Sequence, residues 1–225
     1  YLDVQKLVRD EDWGDPTQYD VDVVFLCLGH GNSTTFLKAN PFADDTKIID
    51  LSNDFRLTSD ASFQDREFVY GLPELNKTSI QEANAIANPG CFATAIELAL
   101  LPLAYGQHIT SDVHINAVTG VTGAGTTPSA TTHFGWRDNN FSHYKAFNHQ
   151  HLGEIKESIQ GLHIGFDQEL FFIPQRGNFS RGIFATAYTL FDGDLAEAHE
   201  LFRAFYADAV FTKVVSQPLH LKQLA

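Results

Sequence analysis

The chain of 225 residues has no methionine, two cysteines, two tryptophans, and 15 basic residues against 28 acidic ones. Each shortage excludes something. A formal net charge of −13 repels phosphate backbones and anionic lipid, which argues against nucleic-acid or membrane-surface partners. Cys27 and Cys91 lie in different contexts, with no CxxC pair and no secretory leader ahead of them. Free thiols in a reducing, cytoplasmic compartment are expected. No apolar run approaches the ~20 residues a membrane helix needs, since even Phe92 to Tyr105 is broken by Glu97 and Pro102. With methionine absent and Tyr1 in first place, the chain is expected to begin downstream of the translation start. Internal repeats, low-complexity segments and long charge runs are also missing. What remains is the composition of a folded domain, 44% hydrophobic and 19% charged, which excludes disordered, collagenous and disulfide-scaffold classes. At roughly 150 residues per domain, the length allows one large domain or two small ones.

Apolar patterning supplies the element order. Val21 to Leu28 is a short β-branched run ending in Gly29-His30-Gly31, as expected of a parallel strand buried on both faces. Asn32, Ser33 and Thr34 are N-cap candidates for a helix through Asn40, Pro41 closes it, and Lys47 to Leu51 is the next strand. Ala83 to Ala87 is a weaker strand, punctuated by Asn88-Pro89-Gly90, and Cys91 to Leu103 is an apolar helix. Val113 to Thr119 reads as a strand running into the Gly/Thr/Ser-rich stretch Gly120 to Thr132, where little regular structure is expected. A helix over Leu152 to Gln160, strands at Glu169 to Ile173 and Ile183 to Phe191, and an amphipathic helix within Asp194 to Asp208 complete the reading. The alternation predicts an α/β protein that changes style near Cys91.

Several residues could carry chemistry. A thiol in the first turn of a helix feels the positive end of the helix dipole and the unpaired amides, both of which favour thiolate. Cys91 is therefore a nucleophile candidate, and a small buried core residue is the competing reading. Cys27, inside an apolar strand, reads as packing. In His149-Gln150-His151, with Glu154 one helical turn beyond His151, the carboxylate could orient an imidazole for proton transfer. The same residues could instead be surface histidines or, less readily, zinc ligands, since HExxH spacing and a third ligand are lacking. Gly120 to Gly125 has GxxGxG spacing, which fails as a dinucleotide fingerprint but leaves amides that could face an anion. Arg176 and Arg181 each precede a glycine and could bind phosphate or carboxylate, with plain surface arginine as the alternative. Asp54-Phe55-Arg56 and Tyr70-Gly71-Leu72-Pro73-Glu74 read as ordered loop corners.

Taken together, these segments resemble the N-acetyl-gamma-glutamyl-phosphate reductases of the aspartate-semialdehyde dehydrogenase-like superfamily. Asn88-Pro89-Gly90-Cys91-Phe92-Ala93-Thr94 matches that family's nucleophile signature. Gly29-His30-Gly31-Asn32-Ser33, Asp50 to Leu57, Tyr70 to Leu75, His149 to Ile155 and Arg181 to Thr186 match in the same order. The resemblance implies an α/β fold with a Rossmann-type parallel sheet, incomplete at the N-terminus, over residues 1–90. An α+β catalytic and dimerisation domain, incomplete at the C-terminus, would cover residues 91–225.

It also implies NADP-dependent reduction of an acyl phosphate to a semialdehyde in arginine biosynthesis, through a thioester on Cys91, by a homo-oligomer without a metal. His151 or His149 would act as acid/base, with His151 preferred because it stands nearer Glu154. Arg181, Asn88, Gly123 and Glu154 would meet substrate. Gly29, His30, Gly31, Ser33 and Gly125 would meet cofactor. A relative acting on an aminoadipate-type or other N-acyl substrate, and a non-catalytic thiol sensor, are the alternatives. Two features depart from the family: its opening GxxGxxG turn and its closing segment and long helix are missing. Gly29 also replaces a proline common before His-Gly.

Overall fold

The structure, a computed structural model, describes residues 21–125 and 127–223. The first 20 positions of the expected nucleotide-binding domain and the last two of the second domain lie outside the described residues, as does position 126 of the Gly/Thr/Ser-rich stretch. The chain divides into two compact units, Tyr1–Pro89 and Gly90–Ala225.

In the first unit, strand β1 (Val23–Leu26), helix α1 (Ser33–Ala39) and strand β2 (Lys47–Asp50) form the βαβ arrangement implied by the β-branched runs and the Gly29 to Gly31 turn. Further along come β3 (Ser62–Phe63), β4 (Arg66–Glu67), β5 (Val69–Tyr70), helix α2 (Pro73–Glu82) and β6 (Ala85–Ala87). The main sheet runs β1-β2-β6-β5 with every pairing parallel, while β3 and β4 make a separate hairpin. Leu26, Leu37, Ile48, Phe55, Phe68, Ala85 and Ala87 form its core, in which Phe55 and Phe68 stack with centroids 4.0 Å apart.

The second unit is built from α3 (Cys91–Tyr105), β7 (Val113–Thr119), α4 (Phe134–Arg137), β8 (Ser142–His143), α5 (His151–Leu162), β9 (Leu170–Arg176), β10 (Ile183–Tyr188) and α6 (Leu195–Phe205). Its sheet runs β10-β7-β9-β8, with β7 and β9 parallel and both edge pairings antiparallel. Side chains of β7 alternate strictly. Val113, Ile115 and Ala117 are buried with Phe92, Ile96, Leu100, Ile155, Ile159 and Phe172, so α3 and α5 cover one face of the sheet. The opposite face carries His114, Phe171 and Tyr188, with the imidazole of His114 stacked between the two aromatic rings at 5.1 and 5.2 Å. Glu97 on α3 is fully buried and accepts the Ser158 hydroxyl of α5 at 2.6 Å. Helix α6 opens on a capping box between Asp194 and Glu197. Among the described residues no helix is long and apolar enough to cross a membrane.

Candidate active site

Helix α3 has Gly90 at its N-cap and Cys91 as its first residue, and the thiol is exposed. Helix α5 opens on His151, whose imidazole is buried directly against Gly90. A Cβ added to Gly90 would lie 2.6 Å from His151 Cδ2, so only glycine permits this approach. The Gly90 amide donates to Glu154 Oε2 at 2.8 Å, and Glu154 is itself buried in the first turn of α5. The starts of two helices thus meet around Gly90. A carboxylate between two positive dipole ends is favourably placed. In sequence, Glu154 reads as an orienter of His151 or a substrate contact; it also holds the backbone amide just ahead of the cysteine.

His149 completes the cluster. Its Nδ1 accepts the backbone N–H of His151 at 3.2 Å, and the two imidazoles meet edge to face with centroids 4.6 Å apart. Phe92, Tyr144 and Phe172 surround it with centroids at 5.5, 5.9 and 5.5 Å. This burial pulls the His149 pKa down to about 4; the His151 and Lys145 charges push the same way, and Glu154 opposes. At neutral pH His149 is an uncharged ring. Tyr144 has a raised pKa, caused first by burial, with the charge and hydrogen bond of Arg176 opposing it and a Cys91 charge adding to it. The Arg176 guanidinium lies over the Tyr144 ring, 4.7 Å from Cζ to centroid.

The remaining expected residues of this unit gather where β7 ends. The 3-10 turn Val121–Ala124 is tied to the chain before β10 by Val121 N–H to Phe179 O and Thr122 N–H to Ser180 O, at 2.9 and 3.0 Å. Gly123 and Gly125 are exposed on this turn, and Arg181 is exposed beside it. Thr119 is in register with both Arg176 and Ile183, so Arg176 and Arg181 share one end of the sheet. Among the described residues no group of three or more His, Cys, Asp or Glu converges as a metal site.

The first unit holds the expected cofactor residues in the turn after β1. Gly29 and Gly31 both have positive φ, 79° and 81°, which the turn needs and glycine supplies. His30 Nδ1 accepts from Asn53 N–H at 3.1 Å. The amides of Gly31, Ser33 and Thr34 all donate to the Asp54 carboxylate, at 2.6, 3.1 and 3.3 Å. Sequence reading puts Ser33 on the cofactor; its side chain is instead buried, giving its hydroxyl to Asp50 Oδ1 at 2.6 Å. The start of α1 therefore does not suit a pyrophosphate, because a carboxylate already takes those donors. Nothing lies within 4 Å of a Cβ built on Gly31, so the turn itself is open there. Asn88 is exposed, and its backbone is fixed by N–H to Asp50 O at 2.8 Å and by Arg56 Nε to Asn88 O at 2.8 Å. Sequence reading missed Asp54, Asp50, Tyr144 and Arg137. Only the spacing of Asp50 to Arg56, with its polar corner after a strand, signals any of them.

Residues 91–225 match the family model "Semialdehyde dehydrogenase, dimerisation domain", and residues 3–83 match "Semialdehyde dehydrogenase, NAD binding domain". The chain belongs to the semialdehyde dehydrogenase family. Among relatives, the N-acetyl-gamma-glutamyl-phosphate reductase of Flavobacterium johnsoniae is 60% identical over 205 residues, covering 91% of this chain and 63% of that protein. The protein of the same name from Bacteroides thetaiotaomicron is 49% identical over 204 residues, covering 91% and 62%. This semialdehyde dehydrogenase chain thus spans less than two thirds of the length of those relatives. Its α/β fold is that of aspartate semialdehyde dehydrogenase II from Vibrio cholerae, with TM-score 0.58 at 15% identity over 82% of this chain and 61% of that one. A second match is the enzyme from Candida albicans, solved with NADP, with TM-score 0.51 at 13% identity over 83% and 55%.

Proposed function

We propose that the chain is the Cys-bearing part of an N-acetyl-gamma-glutamyl-phosphate reductase, which reduces its acyl phosphate to N-acetyl-glutamate semialdehyde with release of phosphate. The observation that carries this reading is an exposed thiol on the first residue of α3, one residue from a glycine against which the His151 imidazole is packed. Cys91 Sγ attacks the acyl carbon, the C–O bond to phosphate breaks, and a thioester forms. NADPH, when bound, supplies the hydride for the second half. Gly29, His30, Gly31 and Gly125 offer open backbone for it. As the resulting tetrahedral adduct collapses, the C–S bond breaks and the thiolate returns to the field of the α3 N-terminus.

His151 holds and moves the proton at the reacting oxygen. His149 is the weaker candidate, because a group with a pKa of about 4 is a poor proton donor near neutrality and its Nδ1 is engaged by the His151 amide. Glu154 fixes Gly90, and Arg181, Asn88 and Gly123 lie on exposed surface suited to substrate.

The ligands on this reading are small molecules, with no nucleic acid or membrane partner, and the setting is the cytoplasm. The second unit makes the homo-oligomer, for which the exposed aromatic face around His114, Phe184 and Tyr188 is the natural surface. The test runs the intact protein backwards with N-acetyl-glutamate semialdehyde, phosphate and NADP. NADPH formation that needs phosphate and accepts arsenate in its place is expected. No NADPH formation with this semialdehyde refutes the assignment.

A further inference from the structure

We propose that Phe147 is a positioning residue that ties the active site to the homo-oligomer. A second copy of this chain, seated on the sheet face that carries His114, Phe171 and Tyr188, holds the Phe147 ring and with it His149 and the start of α5. This coupling rests on that face being the homo-oligomer surface and on His151 carrying the proton. Between β8 and α5 the chain continues along the edge of β9, with Tyr144 N–H to Pro174 O at 3.0 Å and Phe147 N–H to Phe172 O at 2.8 Å. Successive residues of β9 point to opposite faces of the sheet, and the strap over residues 144–150 divides in the same way. Phe147 meets Phe171 on the open face, edge to face with centroids 6.1 Å apart. His149 meets buried Phe172 on the face that α3 and α5 cover, at 5.5 Å. Asn148 alone therefore separates a ring on the open surface from the imidazole whose Nδ1 accepts the His151 amide.

The strap holds a backbone conformation that its own residues disfavour. Lys145 and Phe147 both lie in the left-handed region, with φ of 45° and 61°, which bulky side chains avoid. Such a conformation persists only where its surroundings fix it. The bonds to β9 fix the backbone in part, but the Phe147 ring rests on Phe171 with 59% of the residue exposed. It borders an open cavity of about 240 Å³ whose lining also includes His114, Phe171 and Tyr188. The charge pattern selects the occupant. Outward positions of β7, β9 and β10 carry no Asp, Glu, Lys or Arg, although the chain has a net charge of −13. The same patch can therefore meet itself about a two-fold axis without opposing like charges, whereas a charged partner would find no counter-charge there.

The test uses the intact protein and reads its mass in solution, hydrogen exchange over residues 148–155 and the kinetics of the reverse reaction. Phe184→Asp lies on β10, with β7 between it and β9, so it attacks the open face without touching the strap. It is expected to turn a dimer into a monomer in which exchange over residues 148–155 is about ten-fold faster and kcat about ten-fold lower. An interface with no hold on the strap would leave that stretch, on the covered face, unmoved. Diluting wild type until it dissociates should reproduce both changes without any substitution. In Phe147→Ala, assayed where the dimer is populated, kcat should fall about ten-fold with both KM values within about two-fold of wild type, and Phe147→Leu should restore most of the loss. A wild-type protein that is monomeric at every concentration overturns the proposal, as does a Phe184→Asp protein that stays dimeric. Wild-type kcat in the monomer or in the Phe147→Ala dimer overturns it too. A wild-type protein without turnover, but whose exchange over residues 148–155 still follows the dimer, would sink the reductase reading and leave this one standing.

Discussion

Helices α1 and α3 each follow a parallel strand and a glycine, β1 ahead of α1 and β6 ahead of α3, yet their first turns are used differently. At α1 the amides of Gly31, Ser33 and Thr34 converge on one carboxylate, Asp54, and the Ser33 hydroxyl is held by Asp50. At α3 the N-cap is Gly90, which has no side chain with which to cap the turn, and the first residue is an exposed cysteine. The carboxylate near α3, Glu154, binds the amide ahead of the helix. The same local geometry carries a capping carboxylate in one place and an exposed cysteine in the first position in the other.

The largest effect that separates the two starts is expected from Cys91→Ala, with turnover lower by ~10³-fold or more and an unchanged thermal melt. Retained activity in that variant would erase the distinction. Next comes acidification. His149 has a folded pKa of about 4 against an ordinary 6.5, so the unfolded chain takes up its proton first as pH falls. This residue's stabilisation is present above about pH 6.5 and lost on the way to pH 4, amounting to about 3 kcal/mol at most. Urea melts of wild type and His149→Asn across that range should show the variant losing less stability. Parallel curves would mean that the ring is not buried in its neutral form.

Gly90→Ala sharpens the comparison from the other side. The added methyl meets the His151 ring, the end of a side chain that can swing away, so folding should survive while turnover falls about 10²-fold through a displaced imidazole. Normal turnover would show that the close approach is unnecessary. The smallest effect is expected at α1. Asp54→Ala leaves three amides without their acceptor and should cost about 1–2 kcal/mol in denaturant melts. An unaltered midpoint would show that Asp54 contributes nothing as a cap.

How much of this was legible in the sequence follows from the range of each interaction. Strand β7 occupies the whole of Val113–Thr119, as its alternation indicates, and α3 begins at Cys91, after Asn88-Pro89-Gly90 has separated it from β6. Helix α2 hides within a stretch that reads as a loop corner: it has no buried residue, so no apolar stripe marks it, and only Pro73 at its first turn with Glu74 following gives a start signal. The hairpin of β3 and β4 is too short for periodicity, with two residues per strand. Asp54 and Glu154 reach backbone 20 to 23 and 64 residues away, respectively, which no local pattern encodes. Arg176 and Arg181 look alike in sequence, each before a glycine. Only the pleat of β9 and the ring of Tyr144 tell them apart.

The central claim is that Cys91 forms the covalent bond. The intact protein, incubated with the acyl phosphate but without NADPH, then quenched in acid and digested, should yield the peptide containing Cys91 heavier by the acyl group, with the peptide containing Cys27 unmodified. Acylation of Cys27 instead, or of neither thiol while the protein still turns over, would contradict the account.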